Sequence, residues 1–156
     1  NQLDELTKLL PQYVIQSDDT KLLFKLKEKI SSEQWTDVML ELIEHYKEQP
    51  AKKSILASLY FQEEDYDSLI KLMHRGVDLD IVMNYDHKLY KTYHDDLTQI
   101  YQKTLSDIID SYLGDRAQVA VRKAMYHMDE LNARKLRKSV MSFLEKEYKH
   151  RIQYFM

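Results

Sequence analysis

Only two glycines and two prolines punctuate these 156 residues. Sheet folds need frequent tight turns, and tight turns draw on Gly and Pro. A chain so poor in both is confined to helices joined by short polar connections. Gly76 and Gly114 stand alone, so there is no glycine-rich phosphate loop. Apolar residues make up 44% of the chain, which is enough to build a core. The expected fold class is therefore all-α, at the scale of one ordinary domain.

Apolar spacing sets out the elements. Residues 1–15 read as a helix disturbed at Pro11, which lacks a backbone donor. Asp18 or Asp19 is placed to cap a second helix, with Leu22, Leu23, Leu26 and Ile30 on one face. Ser31 or Ser32 ends it and caps a third, on which Trp35, Val38, Met39, Leu42, Ile43 and Tyr46 recur at three-four spacing; Pro50 follows its end. Ile55, Leu56, Leu59 and Tyr60 form the next stripe, and Tyr66, Leu69, Ile70 and Met73 the one after. Gly76 stands where a left-handed residue closes a helix.

Residues 77–84 read as a connection holding one helical turn. A long helix is expected from about residue 86 to 113, stopped by Gly114, with Asp115 capping its successor. That successor carries Ala117, Val121, Ala124, Met125 and Met128. Asn132 is expected to cap a last helix that reaches nearly to Met156, with Leu136, Val140, Phe143, Leu144, Tyr148, Ile152 and Phe155 as its stripe. Eight helices result, and connections this short imply antiparallel neighbours. Residues 1–84 are expected to form stacked hairpins and residues 85–156 a long-helix C-terminal part of the same domain.

The chain has no cysteine, which removes disulfides, thiolate metal sites and cysteine nucleophiles. No apolar run approaches the ~20 residues that span a bilayer. The opening Asn1-Gln2-Leu3-Asp4 shows neither an initiator Met nor a signal pattern. The expectation is a piece of a longer cytoplasmic protein. Net charge is −3, but residues 1–113 hold 13 Lys/Arg against 21 Asp/Glu, and residues 114–156 hold 10 against 5. Such asymmetry marks a nucleic-acid or acidic-partner surface, or one end of a fold balancing the other.

Helical hairpins in series call for a search for repeats. The stretch "LASLYFQEEDYDSLIKLMHRGVDLD" resembles one tetratricopeptide repeat, a helix-turn-helix unit. Leu56, Ala57 and Tyr60 match its first helix, and Asp65 and Tyr66 the Asp-Tyr that opens its second. Gly76 falls where the family has a small residue. Glu64 stands where the turn glycine usually sits, Leu69 replaces an alanine, and Ile81 replaces the closing proline. A fainter copy aligns Trp35, Val38 and Met39 with Tyr66, Leu69 and Ile70, and Pro50 then falls at the closing position. The resemblance covers roughly residues 20–81 and implies hairpins stacked as a short right-handed superhelix with an irregular turn.

The remainder, ending in "LRKSVMSFLEKEYKHRIQYFM", is similar to the C-terminal helical region of bacterial SWIM zinc-finger proteins. That family's zinc motif is C-x-C…C-x-H, and a chain without cysteine cannot contain it. The similarity implies a partner-binding or structural arm, with no cofactor in this chain. Zinc and nucleic-acid binding would belong to another part of the parent protein.

Candidate chemistry is sparse. His87 and His94 lie seven residues apart, which spreads their rings by ~10 Å along a helix. Two zinc ligands on one helix instead sit at i and i+4. The ordinary reading of both is a rim or solvated histidine, and of His127 a helix-packing residue. Carboxylate pairs such as Asp95/Asp96 and Asp107/Asp110, and the run Glu63-Glu64-Asp65, read as solvated faces and turns, because acid–base work needs a cleft. No enzymatic arrangement, and no small-molecule substrate, is expected.

Two surfaces remain. Tyr60, Tyr66, Tyr90, Tyr93 and Tyr101 could line a partner groove, since aromatic rings give contact area at low entropic cost. Arg134, Arg137, Lys138 and Lys149 form a basic patch suited to phosphates. The expected function is a non-catalytic protein-interaction or scaffold module. The alternative is a nucleic-acid accessory domain using the basic last helix.

Overall fold

Helix starts and stops in this chain are set by a small number of side-chain caps and left-handed residues. The computed structural model describes residues 1–154, and among them there is no strand. Nine α-helices follow one another: α1 Gln2–Ser17, α2 Lys21–Leu26, α3 Ser32–Lys47, α4 Lys53–Gln62, α5 Tyr66–His74, α6 Leu79–Tyr85, α7 His94–Ser111, α8 Asp115–Glu130 and α9 Arg134–Glu147. Short 3₁₀ turns lie at Pro50–Lys52, Asp86–Lys88 and Ile152–Tyr154. The element beyond the expected eight is α6, where a single turn was anticipated. No described helix is long and apolar enough to cross a membrane.

Two compact units divide the chain, residues 1–64 and residues 65–156. The division passes through the turn of the repeat-like hairpin.

In the first unit α1 and α4 both pack on α3, whose Trp35, Val38, Met39, Leu42 and Tyr46 are buried. A reciprocal cap starts α3: Ser31 Oγ accepts from Gln34 N–H at 3.1 Å, and Gln34 Oε1 accepts from Ser31 N–H at 3.1 Å. Pro11 does not break α1. A helix-interior proline costs about 3 kcal/mol, but Pro11 lies on a buried face with Thr7, Leu10 and Val14, and that burial holds the helix through it. Asp18 ends α1 with φ 55, and Asp19 accepts the N–H of Lys21, the first residue of α2, at 2.9 Å. α2 stops at Leu26, short of Ile30.

The acidic run 63–65 has three separate structural uses. Glu63 Oε1 accepts the indole N–H of Trp35 at 2.6 Å. Glu64 takes the left-handed conformation, φ 55, at the position expected of a turn glycine. Asp65 caps α5 by accepting from Ser68 N–H at 3.2 Å. A left-handed non-glycine residue is strained by about 1–2 kcal/mol, part of which glycine returns as chain entropy. Glu64→Gly is therefore expected to raise stability by about 0.5–1 kcal/mol, read as a higher urea midpoint at unchanged slope. A lower midpoint would contradict the strain argument.

In the second unit α7 packs against α5, α6, α8 and α9. Leu97, Ile100, Tyr101, Thr104, Leu105 and Ile109 are its buried positions. Gly76 has φ 98 and closes α5 through its N–H to Met73 C=O at 3.0 Å, as its position predicted.

Other expectations are corrected. The long helix begins at His94, because residues 86–93 turn back on Asp86, whose carbonyl accepts from Leu89 and Tyr90, each at 2.8 Å. Tyr112, in extended conformation, ends α7, and Gly114 (φ 77) stands at the start of α8 instead. Asn132 closes α8 rather than capping α9: it sits at φ 56, its N–H bonds Asp129 C=O and the next N–H bonds Met128 C=O, both at 2.9 Å. That pair of bonds is the usual left-handed helix stop. α9 ends at Glu147, not near Met156. Arg151 then turns inward and donates to the carbonyls of Ile109 (2.8 Å) and Tyr112 (3.1 Å), satisfying the open end of α7. Phe155, assigned to the last stripe, lies outside the described residues.

Candidate functional site

The five tyrosines do not share a groove. Tyr101 is fully buried and Tyr60 is only 8% exposed, so both are core. Tyr66 is half-buried and opens α5. Tyr93 donates its hydroxyl to Asp67, and that bond pushes its pKa up to about 12. Tyr90 alone of the five lines a described cavity. The basic patch also separates. Arg137 Nε lies 3.0 Å from Asp129 Oδ1, Lys149 lies beyond the end of α9, and Lys138 is exposed on α9. Arg134 lines the same cavity as Tyr90.

That cavity, of about 360 Å³, is walled by Tyr90, Lys91 and His94 on one side and by Asn132 to Leu136 on the other. The turn 86–93 and the first residue of α7 place the first group, and the start of α9 the second. Thus one member of each sequence-derived set is brought to a common cavity, a juxtaposition only the tertiary fold creates. His94 Nδ1 lies 3.1 Å from Asp95 Oδ1, while its Nε2 is enclosed without a partner.

A second surface, in the first unit, is apolar. Leu6, Leu9, Leu10, Tyr13 and Leu22 surround a groove of about 420 Å³. Leu9 is 60% exposed, Tyr13 42% and Leu6 40%. Leu6, Leu9 and Tyr13 were not singled out from the sequence. The signal was present: α1 carries two stripes, Thr7-Leu10-Val14 facing the core and Leu6-Leu9-Tyr13 on the flank beside it. One helix needs only one stripe to pack.

The most enclosed polar group is Asp86, with no exposed surface. Tyr101 donates to its Oδ2 at 2.5 Å, and His127 Nε2 lies 2.8 and 2.9 Å from its two oxygens. Burial pushes the Asp86 pKa up, while the bonds from Tyr101 and His127 pull against it. Burial and then the Asp86 charge raise the Tyr101 hydroxyl. The cluster joins the 3₁₀ turn to α7 and α8. Sequence reasoning missed Asp86 because a single acid at an element start looks like a cap. It placed His127 correctly as a packing residue but had no means of finding its partner.

The corresponding polar group of the first unit is Asp18. It accepts from Lys52 Nζ at 2.5 Å and from Tyr46 hydroxyl at 2.9 Å. Those two bonds, Lys52 first, hold its pKa down, and burial followed by the Asp18 bond pushes Tyr46 up to about 12. Among the described residues no group of three or more His, Asp or Glu is gathered as a metal site would require. His87 stands in the 3₁₀ turn and His94 opens α7, so the two do not share a helix.

A family profile described as the DUF499 third domain matches residues 6–142. The chain belongs to this family. No curated protein and no solved structure matches it. The matched span of the DUF499 third domain takes in the apolar groove, the Asp86 cluster and the Tyr90–Arg134 cavity, and it leaves out Lys149 and Arg151.

Proposed function

We propose that this DUF499 third domain is a non-catalytic interaction module that takes an amphipathic helix of a partner protein along the outer stripe of α1. The carrying observation is Leu9, 60% exposed on a helix whose other stripe is already buried, beside Tyr13 at 42%. Apolar surface that folding leaves beside a groove is what a helix-in-groove contact uses, and Tyr13 adds an aromatic anchor. Residues 1–64 hold 8 lysines and no arginine against 12 acids, which favours a partner helix flanked by Lys and Arg.

The family's description as a third domain supports a larger parent protein. A TPR-like hairpin stack belongs to the same reading, supported by the left-handed Glu64 and the Asp65 cap at the two positions where the repeat puts its turn. The similarity to bacterial SWIM zinc-finger proteins, with a cytoplasmic setting, completes it.

Selection of displayed amphipathic helices against the chain tests the proposal. Selected peptides are expected to repeat apolar residues at three-four spacing with basic flanks. Leu9→Asp should weaken them by about 2 kcal/mol, roughly thirtyfold, without lowering the melting temperature. Binding indifferent to Leu9→Asp would sink the reading. Salt-sensitive binding of DNA that depends on Arg134 and Lys138 would favour the nucleic-acid alternative instead.

A further inference from the structure

The cavity at the start of α9 is lined by three cationic side chains, Lys91, Arg134 and Lys135, and by no carboxylate. Three like charges around one hollow repel each other when nothing lies between them. Two of them, Arg134 and Lys135, also occupy the first turn of α9, which holds no acidic residue. A helix start already carries positive partial charge, so cations there are misplaced unless an anion joins them. Ala133, at the capping position, offers no side-chain acceptor.

The size of the hollow narrows the ligand. At about 360 Å³ it far exceeds a bare oxyanion and lies at the lower end of small-molecule sites. Its remaining wall is Tyr90, Ala133 and Leu136, which suits an organic body. Arg134 adds the planar donor fork that matches tetrahedral oxyanions. A phosphate monoester carries about −1.5 to −2 charge near neutral pH, more than a carboxylate offers to three cations.

We propose that this cavity binds a small organic phosphomonoester, with its phosphate toward Arg134 and Lys135 and its organic body against Tyr90. The site is separate from the α1 groove and does not depend on it.

Calorimetric titration of the 156-residue chain with phenyl phosphate tests this, alongside inorganic phosphate, phenol and an unphosphorylated single-stranded oligonucleotide. Phenyl phosphate is expected to bind, inorganic phosphate more weakly and phenol not at all. Arg134→Gln and Lys135→Gln should each weaken binding about tenfold, while Lys138→Gln, outside the cavity, should leave it unchanged. Circular dichroism verifies that the variants stay helical, and phenyl phosphate should raise the melting temperature of the native chain but not of the double variant. No heat up to about 10 mM phenyl phosphate would overturn the proposal. So would equal losses from Lys138→Gln and Arg134→Gln, or binding of the oligonucleotide alone.

Discussion

Replacing Asp86 by alanine is expected to destabilise the chain by on the order of 3 kcal/mol. The carboxylate is enclosed, and it receives the Tyr101 hydroxyl and the His127 ring nitrogen. Alanine would leave the buried Tyr101 donor without an acceptor, remove one end of the His127 bond and open a small void. Asp86→Asn should cost much less, because the amide oxygen still accepts while no charge has to be desolvated. Urea denaturation followed by ellipticity measures both, and an Asp86→Ala midpoint equal to the native one would show that the cluster contributes nothing.

The same residue gives a pH dependence of uncommon sign. Most carboxylates that are paired or hydrogen-bonded in folded proteins have lowered pKa values, but Asp86 is raised by burial. The folded chain therefore holds this proton more tightly than the unfolded chain. The contribution of Asp86 is fully present below the unfolded carboxylate range and is lost as pH rises through the folded value. Compared with Asp86→Asn, the native chain should lose relative stability on going upward through that window. A relative gain would mean that the bonds from Tyr101 and His127 outweigh the burial.

Trp35→Ala is expected to have the largest effect in the first unit, about 3–5 kcal/mol. Trp35 is only 6% exposed, donates to Glu63, and has the Lys27 ammonium 5.3 Å from its ring centroid. Lys27 also donates to Gln62 C=O at 3.1 Å, so the ring lies within a set of contacts that joins residues near α2, α3 and α4. Trp35→Phe keeps most of the apolar volume and loses the indole donor, so a loss of about 1–2 kcal/mol is expected. Glu63→Gln retains an acceptor and should fall below that. If Trp35→Phe were as damaging as Trp35→Ala, the volume argument would fail.

These sites show where the sequence was readable. Apolar spacing located α3, α5 and α8 because each has one stripe and one solvated side. Gly76, Ser31 and Asp65 were legible because their roles depend on one or two neighbours along the chain. Residues 86–93 were not, since Leu89 and Tyr93 continue the helical spacing of α7 while the backbone turns around an acid whose partners, Tyr101 and His127, are distant in sequence. Asn132 was assigned to the wrong helix because the same residue type can cap a start or close an end. Tyr90 and Arg134 were each noticed, but in different sets. Only the path of the chain through the 86–93 turn brings them to one cavity. The Leu6-Leu9-Tyr13 stripe escaped notice because an apolar residue is ordinarily taken as core, and nothing in a single helix says which of two stripes is covered.

Trp35 is the only tryptophan in the chain, and it lies in the first of the two compact units. Intrinsic fluorescence excited at the indole band is consequently a local signal. Its emission should shift to the red when residues around α3 lose their packing, whatever happens around α7. Far-ultraviolet ellipticity, by contrast, sums over helices of both units. Recording the two signals through one denaturation distinguishes a single cooperative transition from two. Coincident curves would mean that the chain melts as one body, and separated curves would assign the earlier or later step to the unit that holds the indole.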